Sequence, residues 1–272
     1  MISIKSHAEL EKMRHASRIV ADALDAVTAA VRPGVTTAEL DRIAERVIRA
    51  AGATPSFKGY AQSEGQPPYP ATICASINEE LVHGIPGKRA LHEGDIVSID
   101  VGARWQGYHG DAALTVPVGE ISHDARRLLD VTIESLFAGI HAARRGSRLS
   151  DISVAIQRVI EAGGYGVVRE YGGHGVGRRL HEDPHVSNHG QPGKGPLLQP
   201  GMTLALEPMA NAGTHQTHVR PDSWTVVTAD NRLSAHFEHT ICITNGAAEI
   251  LTEWAPRVYE RIGAPLPALA TA

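Results

Sequence analysis

The chain has 272 residues, a formal net charge of −4 and no dense block of lysine or arginine. This length is enough to bury a large core in one or two domains, and the charge gives no support for binding to nucleic acid or to a membrane surface. The amino terminus lacks the apolar stretch of a signal peptide, and no window is apolar enough for a membrane span, so we expect a cytoplasmic protein. Cys74 and Cys242 lie in apolar, strand-like runs and are expected to be core residues without a disulfide.

Two helical segments with the same apolar pattern occur in the two halves of the chain, at 34–52 and at 146–164. Each has the i, i+4, i+7, i+8 spacing of one helix face. The first also has a capping box, Thr36-x-x-Glu39, and a glycine stop at Gly52. The matching apolar positions are Leu40 with Ile152, Ala44 with Ile156, Val47 with Val159, and Ile48 with Ile160.

A second repeat follows each helical segment, where an apolar strand ends in a carboxylate. The pattern Leu-x-x-Gly-x-x-x-x-apolar-acid ends at Asp100 and again at Glu207, and the two acids are 107 positions apart. We therefore predict a single domain, 1–272, made of duplicated halves at about 8–118 and 122–250 that fold about a pseudo-two-fold axis, with the functional site between them. The Pro- and Ala-rich tail, 255–272, is expected to be disordered.

Asp100 and Asp111 lie in two consecutive apolar strands that we predict to form a hairpin. If the chain turns at Trp105-Gln106, the two acids face each other with Cβ atoms about 5 Å apart. Bare carboxylates at that distance repel, and a shared pair of metal ions would remove the conflict. The alternative is that both are exposed acids of a hairpin.

Three further candidate ligands lie in the second half. His174 is in a glycine-rich segment, Glu207 ends a strand before Pro208, and Glu238 opens another apolar run. A buried, unpaired carboxylate is costly, so metal ligation is the simplest explanation for these acids. An oxygen-rich set favours Mn²⁺, Fe²⁺ or Co²⁺ over a sulfur-rich zinc site. The residues indicate a two-metal hydrolase but leave the bond that it cleaves open.

The sequence motifs resemble those of type I methionine aminopeptidases, in order and over nearly the whole chain. The resembling segments are 76–86, 94–102, 109–111, 173–184, 200–208, 223–226 and 237–240. The resemblance implies an α+β pita-bread fold, in which duplicated halves form a curved antiparallel sheet covered by helices. It also implies metal-dependent removal of the initiator methionine from nascent proteins and peptides whose second residue is small.

The resemblance assigns roles to particular residues. It implies two divalent ions (cobalt, manganese, iron or zinc) and a bridging hydroxide that attacks the first peptide carbonyl. Glu207 would shuttle the proton, His181 would hydrogen-bond the developing oxyanion or the peptide, and His83 would contact the substrate near the scissile bond. The ligands would be Asp100, Asp111, His174, Glu207 and Glu238, with Asp111 and Glu238 bridging. The methionine pocket would be lined by Tyr69, Cys74 and Trp224.

The chain departs from the family pattern in the expected pocket. The segment 56–69 is longer and richer in Pro and Gly, Gln66 stands where an aromatic residue is often found, and Leu180 stands where Phe is often found. We therefore expect a wider or less aromatic pocket. The expected partner is the amino terminus of a nascent polypeptide, at the ribosome, with no direct contact to nucleic acid or membrane and with the chain as a monomer.

Three alternatives are considered. An X-Pro aminopeptidase or dipeptidase of the same fold usually has a large amino-terminal domain, whereas only 99 residues precede Asp100. A non-catalytic relative that binds peptides or ribosomes typically loses metal ligands, and all five are present. A type II methionine aminopeptidase would need a helical insertion, for which the spacing between His174 and Glu238 leaves no room.

Overall fold

A computed structural model describes residues 2–61 and 65–265 of the chain. The helices in these ranges are α1 (His7–Thr28), α2 (Thr37–Ala50), α3 (His123–Ala142), α4 (Leu149–Ala162) and α5 (Pro256–Ile262). The strands are β1 (Thr54–Pro55), β2 (Ile73–Ile77), β3 (Glu80–Val82), β4 (Ile96–Trp105), β5 (Tyr108–Pro117), β6 (Gly166–Val167), β7 (Gly172–Gly175), β8 (Glu182–Ser187), β9 (Thr203–Leu206), β10 (Met209–Asn211), β11 (Thr217–Val219), β12 (Val226–Thr228), β13 (Ser234–His236), β14 (His239–Cys242) and β15 (Glu249–Ile250).

The α2 helix forms where its capping box predicts it. The Thr36 hydroxyl accepts a hydrogen bond from the Glu39 amide at 3.3 Å, and the Glu39 carboxylate accepts one from the Thr36 amide at 2.8 Å. Gly52, with φ of 72°, adopts the left-handed conformation just past the helix end. The predicted helix and its termini are therefore confirmed.

All the strand pairs in the described residues are antiparallel. A four-stranded sheet pairs β4 with β1, β2 and β5, and a five-stranded sheet runs in the order β15-β14-β9-β7-β8. Two three-stranded sheets, β13-β10-β6 and β11-β12-β3, complete the set. Helices cover the sheets through buried apolar faces, such as Leu40, Ala44 and Ile48 on α2 and Ile152, Ile156 and Ile160 on α4. The α+β class is confirmed.

The internal repeat appears in equivalent hydrogen bonds. The Gly34 amide donates to the Leu91 carbonyl at 2.8 Å, and the Gly146 amide donates to the Leu198 carbonyl at 3.0 Å. A helix pair precedes the main strands each time, as α1-α2 and as α3-α4. Among the described residues, no helix combines the length and the apolar character that crossing a membrane requires.

The hairpin between β4 and β5 turns one residue later than predicted. Trp105 pairs with Tyr108, so the central residues of the turn are Gln106 and Gly107, with φ of 45° and 84°. A two-residue turn that matches the strand twist needs positive φ at both positions, which favours glycine at the second. The prediction that Asp100 and Asp111 face each other directly is therefore wrong.

The carboxyl-terminal segment also differs from the prediction. Residues from 255 were expected to be disordered, but Pro256–Ile262 form α5. Arg261 donates to the Asp25 carboxylate on α1 at 2.7 Å, and Val258, Tyr259 and Ile262 are buried. This packing holds the segment in place, and the rest of the predicted tail, 266–272, lies outside the described residues.

Candidate metal centre

All five predicted metal ligands line one cavity, which has a volume of about 480 Å³. Each lies within a strand or directly beside one, and both halves of the sequence contribute. The predicted substrate residues line the same cavity. The residues that the structure brings together are Asp100, Asp111, His174, Glu207 and Glu238 with His83, His181, Tyr69, Cys74 and Trp224.

Asp100 and Asp111 occupy diagonal positions on neighbouring strands. Asp111 pairs with Gly102, and Asp100, two residues before Gly102, pairs with Ala113. Because side chains two residues apart on a strand point to the same face, both carboxyl groups still face the cavity. On the other side of β4, Asp100 pairs with Cys74 of β2, which places the predicted pocket cysteine beside a predicted ligand.

His174 is oriented by its own strand. Its Nδ1 lies 2.9 Å from the carbonyl oxygen of Gly175, so Nδ1 carries the proton and donates it. The unprotonated Nε2 then faces Asp111 Oδ2 at 3.8 Å and Glu207 Oε1 at 3.7 Å. Both distances are too long for hydrogen bonds, and a backbone acceptor on the far nitrogen is typical of histidines that bind metal.

The close spacing of the carboxylates indicates a cation site, because neighbouring negative charges repel unless a cation lies between them. One ligand atom from each of Asp111, His174 and Glu238 lies within 4.8 Å of the other two. One buried oxygen each of Asp100, Asp111 and Glu238 has no hydrogen-bond partner among the described residues. Buried polar atoms without partners are rare, and divalent cations would satisfy all three. The donor set, four carboxylates and a neutral imidazole, therefore fits a divalent metal site.

Burial shifts the pKa values of this cluster. It raises the pKa of Asp100 to about 8, and with repulsion from Asp100 it raises the pKa of Glu207 to about 8. The pKa values of Asp111 and Glu238 also lie well above the ordinary values, first because of burial and then because of the neighbouring carboxylates. Burial and the nearby His181 lower the pKa of His174 to about 3, so its imidazole is neutral.

Two predicted substrate histidines flank the ligands. His181 lies at the exposed mouth of the cavity, its ring centroid 4.2 Å from that of His174. The hydroxyl of Tyr60 lies 2.6 Å from His181 Nδ1 and fixes that ring. His83 adopts a left-handed conformation, with φ of 60°, which is uncommon for a residue with a side chain. Such strain is concentrated at functional sites.

An apolar pocket adjoins the ligands, and the predicted Tyr69, Cys74 and Trp224 are all buried in it. Leu180 packs there too, as does Phe57, and the expectation of a wider or less aromatic pocket than the family pattern stays a prediction. The rings of Tyr69 and Trp224 are nearly perpendicular in a T-shaped contact, with centroids 5.1 Å apart. The walls of the pocket therefore include three aromatic rings.

The long segment after Phe57 is tied to the Trp224 segment. The Gln66 amide donates to the Ser223 carbonyl at 3.1 Å, and the Trp224 indole donates to the Pro67 carbonyl at 2.9 Å. Gln66 thus contacts the backbone of the segment that carries Trp224.

Three site residues were not found by sequence reasoning. Phe57 and Tyr60 lie on an irregular segment, where no periodicity indicates which side chains face a pocket. His236 is buried, with Nε2 3.7 Å from Glu207 Oε2. Its position two residues before Glu238 in an extended segment was a usable signal, because such residues share a face.

Comparison with known proteins agrees with this geometry. Residues 11–245 match the model of metallopeptidase family M24, and the chain belongs to that family. It is 55% identical over 252 residues to "Methionine aminopeptidase 1" of Bacillus subtilis (strain 168), covering 93% of this chain and 99% of that protein.

Solved structures give the same result. The crystal structure of methionine aminopeptidase from Thermotoga maritima superposes with a TM-score of 0.90 and 46% identity, covering 93% of this chain and 100% of that one. The prolidase from Pyrococcus horikoshii OT3, at 23% identity, a TM-score of 0.75 and coverage of 94% of this chain and 65% of that one, shares the fold. The pita-bread fold is thereby confirmed.

Proposed function

We propose that the chain is a metal-dependent aminopeptidase that removes the amino-terminal methionine from nascent polypeptides whose second residue is small. The observation that carries the proposal is the joint geometry of one cavity, in which the ligand cluster adjoins an apolar pocket. The 55% identity to a protein named methionine aminopeptidase, over nearly the full length of both, supports the same substrate.

Asp100, Asp111, His174, Glu207 and Glu238 would hold two divalent ions. The oxygen-rich donor set favours Mn²⁺, Fe²⁺ or Co²⁺. When bound, such metals supply Lewis-acid polarisation of the peptide carbonyl and a water molecule of lowered pKa. The unpaired oxygens of Asp100, Asp111 and Glu238 support this assignment.

The other residues bind the substrate and move protons. Phe57, Tyr69, Cys74 and Trp224 would exclude water from the methionine side chain, which is unbranched and fits irregular apolar space. Glu207, whose Oε1 and Oε2 face His174 and His236, would take a proton at its carboxylate and pass it to the leaving amine. His181 would donate a hydrogen bond to the carbonyl oxygen from the cavity mouth, with Tyr60 fixing its ring.

We further propose that the chain acts as a monomer in the cytoplasm, on polypeptides emerging from the ribosome, and that the two halves at about 8–118 and 122–250 form one catalytic domain. The contact of β5 with the segment that carries Glu238 supports the last point, because the Glu238 amide donates to the Ala113 carbonyl at 2.7 Å.

The experiment that tests the function compares the protein with its Asp111→Asn and Glu238→Gln variants. We expect both to lose turnover of a Met-Ala-Ser peptide and to bind Mn²⁺ more weakly, because each removes a negative charge from the ligand cluster. Full activity in either folded variant would refute the proposed role of that residue as a metal ligand.

A further inference from the structure

The two halves of the chain meet at the metal site along a short ladder between β5 and residues 236–240. At its centre, Ala113 and Glu238 exchange backbone hydrogen bonds, with the Glu238 amide donating at 2.7 Å and the Ala113 amide at 3.4 Å. Two residues from this pair in either direction, at Asp111 with Thr240 and at Thr115 with His236, the two segments are joined by side-chain hydrogen bonds in place of backbone ones. A threonine hydroxyl takes the place of the backbone on each side.

On one side, the Thr240 hydroxyl donates to the Asp111 carbonyl at 2.7 Å and accepts from the Asp111 amide at 3.2 Å. On the other side, the Thr115 hydroxyl donates to the His236 carbonyl at 2.9 Å and accepts from the His236 amide at 3.0 Å. The two contacts are related by a local two-fold axis through the central pair, since the threonine comes from opposite strands. Both side chains are fully buried.

The hydroxyl is needed because the backbone of Thr240 is already committed. Its amide donates to Thr252 Oγ1 at 3.0 Å, and its carbonyl accepts from the Leu251 amide at 2.9 Å. Only the side chain remains to satisfy both polar groups of Asp111. A hydroxyl can donate and accept at once, which valine, of the same shape, cannot do.

We propose that Thr240 and Thr115 are positioning residues that set the separation of the two halves at the metal centre. Thr240 holds the backbone of Asp111 two residues from the central pair that contains Glu238. Thr115 holds His236, whose Nε2 lies 3.7 Å from Glu207 Oε2. This inference rests on the proposed function, because it names the groups that fix the spacing of the proposed metal ligands.

The two threonines differ in what they hold, which makes the expected effects unequal. Thr240 acts on a ligand directly, and Thr115 acts through a neighbour of a ligand. Replacing groups that orient metal ligands typically weakens metal binding 10- to 100-fold. We therefore expect Thr240→Val to weaken Mn²⁺ binding by about tenfold or more, and Thr115→Val to weaken it less.

The test is calorimetric titration of metal-stripped protein with Mn²⁺, together with urea unfolding of each metal-free variant. Thr240→Ser keeps the hydroxyl and should bind Mn²⁺ within about threefold of the unmodified protein. Thr228→Val is the matched control, because Thr228 is fully buried on β12 and its hydroxyl donates to the Arg232 carbonyl at 2.8 Å, away from the cavity. It should lose stability without losing Mn²⁺ affinity.

Unchanged Mn²⁺ affinity in folded Thr240→Val would overturn the inference, as would an equal loss in Thr228→Val. If Thr240→Val does not fold, Thr240→Ala is titrated instead, with the same expected loss and the same contrary result. Absence of Mn²⁺ binding by the unmodified protein, or full binding by Asp111→Asn, would instead refute the proposed ligands.

Discussion

Four carboxyl groups face one cavity, Asp111 and Glu238 buried and Asp100 and Glu207 half-buried, so their charged forms are disfavoured when no cation is bound. Burial raises the pKa values of Asp100 and Glu207 to about 8, and those of Asp111 and Glu238 lie above their ordinary values as well. Below pH 8, part of this cluster is neutral in the folded, metal-free protein. A divalent ion must therefore displace protons when it binds.

We predict that Mn²⁺ binding releases protons at pH 7 and strengthens as the pH rises from 6 to 8. Protons are released because the raised pKa values keep some of these carboxyl groups protonated in the metal-free site, whereas a carboxylate that binds a metal ion is deprotonated. Calorimetric titrations in two buffers with different ionisation enthalpies count the released protons. Binding heat that does not depend on the buffer at pH 7 would contradict the prediction.

His181 is predicted to act on the substrate and not on the metal. Removal of one oxyanion donor typically lowers kcat 100-fold or more, so we expect His181→Ala to lower kcat by about 100-fold. Metal content, measured by atomic absorption, should not change. Tyr60→Phe, which removes only the hydroxyl that fixes the ring, should have a smaller effect on kcat. Loss of metal in His181→Ala would mean that this side chain is a ligand.

At the scale of elements, the amino-terminal residues Ser3 and Lys5 bind the segment that carries His181 through hydrogen bonds to Glu182. The Lys5 ammonium donates to the Glu182 carboxylate at 2.7 Å, and both side chains are nearly buried. Burial alone would raise the pKa of Glu182, but hydrogen bonds from Lys5, the Arg179 amide and Ser3 lower it to about 2. Gly177 allows this approach, since a Cβ there would lie 2.6 Å from Lys5 Cε.

We expect Lys5→Met to destabilise the fold by up to about 3 kcal/mol at pH 7, because it leaves a buried carboxylate without its cation. A carboxyl whose pKa is lowered by folding stabilises the fold above its unfolded pKa, near 4.5, and that contribution is lost as the pH falls towards 2. The free energies of unfolding of the variant and of the unmodified protein should therefore become nearly equal by about pH 2. Urea unfolding at pH 7, 5 and 3 measures this, and a constant difference would contradict it.

The sequence predicted several elements because their signals are local. The α2 capping box and the strand that ends at Glu207 are each determined within a few residues. The position of the β4-β5 turn was missed by one residue, because two adjacent pairs could serve as the turn and only Gly107 tolerates positive φ freely. The contact of Thr240 with Asp111 was not predictable, because the two residues are 129 positions apart in sequence. The contacts of Phe57 were not predictable, because it lies in an irregular segment without periodicity.

At the scale of the whole molecule, the candidate ligands come from both halves, so metal binding should stabilise the fold as a unit. A ligand that binds only the folded state adds about 2.7 kcal/mol at 100 times its Kd. We expect Mn²⁺ to raise the Tm of the metal-stripped protein in proportion to the logarithm of its concentration. The Asp111→Asn variant is the control and should show little shift, and an equal shift in both would place the bound Mn²⁺ elsewhere.

The most direct test of the account is the release of free amino acids from a peptide panel by metal-stripped protein reconstituted with Mn²⁺ or Co²⁺. The panel contains Met-Ala-Ser, Met-Lys-Ser, Leu-Ala-Ser and Ala-Pro-Ser. We predict metal-dependent release of methionine from Met-Ala-Ser alone, because the apolar pocket selects methionine and the second residue must be small. Cleavage of Ala-Pro-Ser in place of Met-Ala-Ser, or no cleavage with metal bound, would contradict the proposed function.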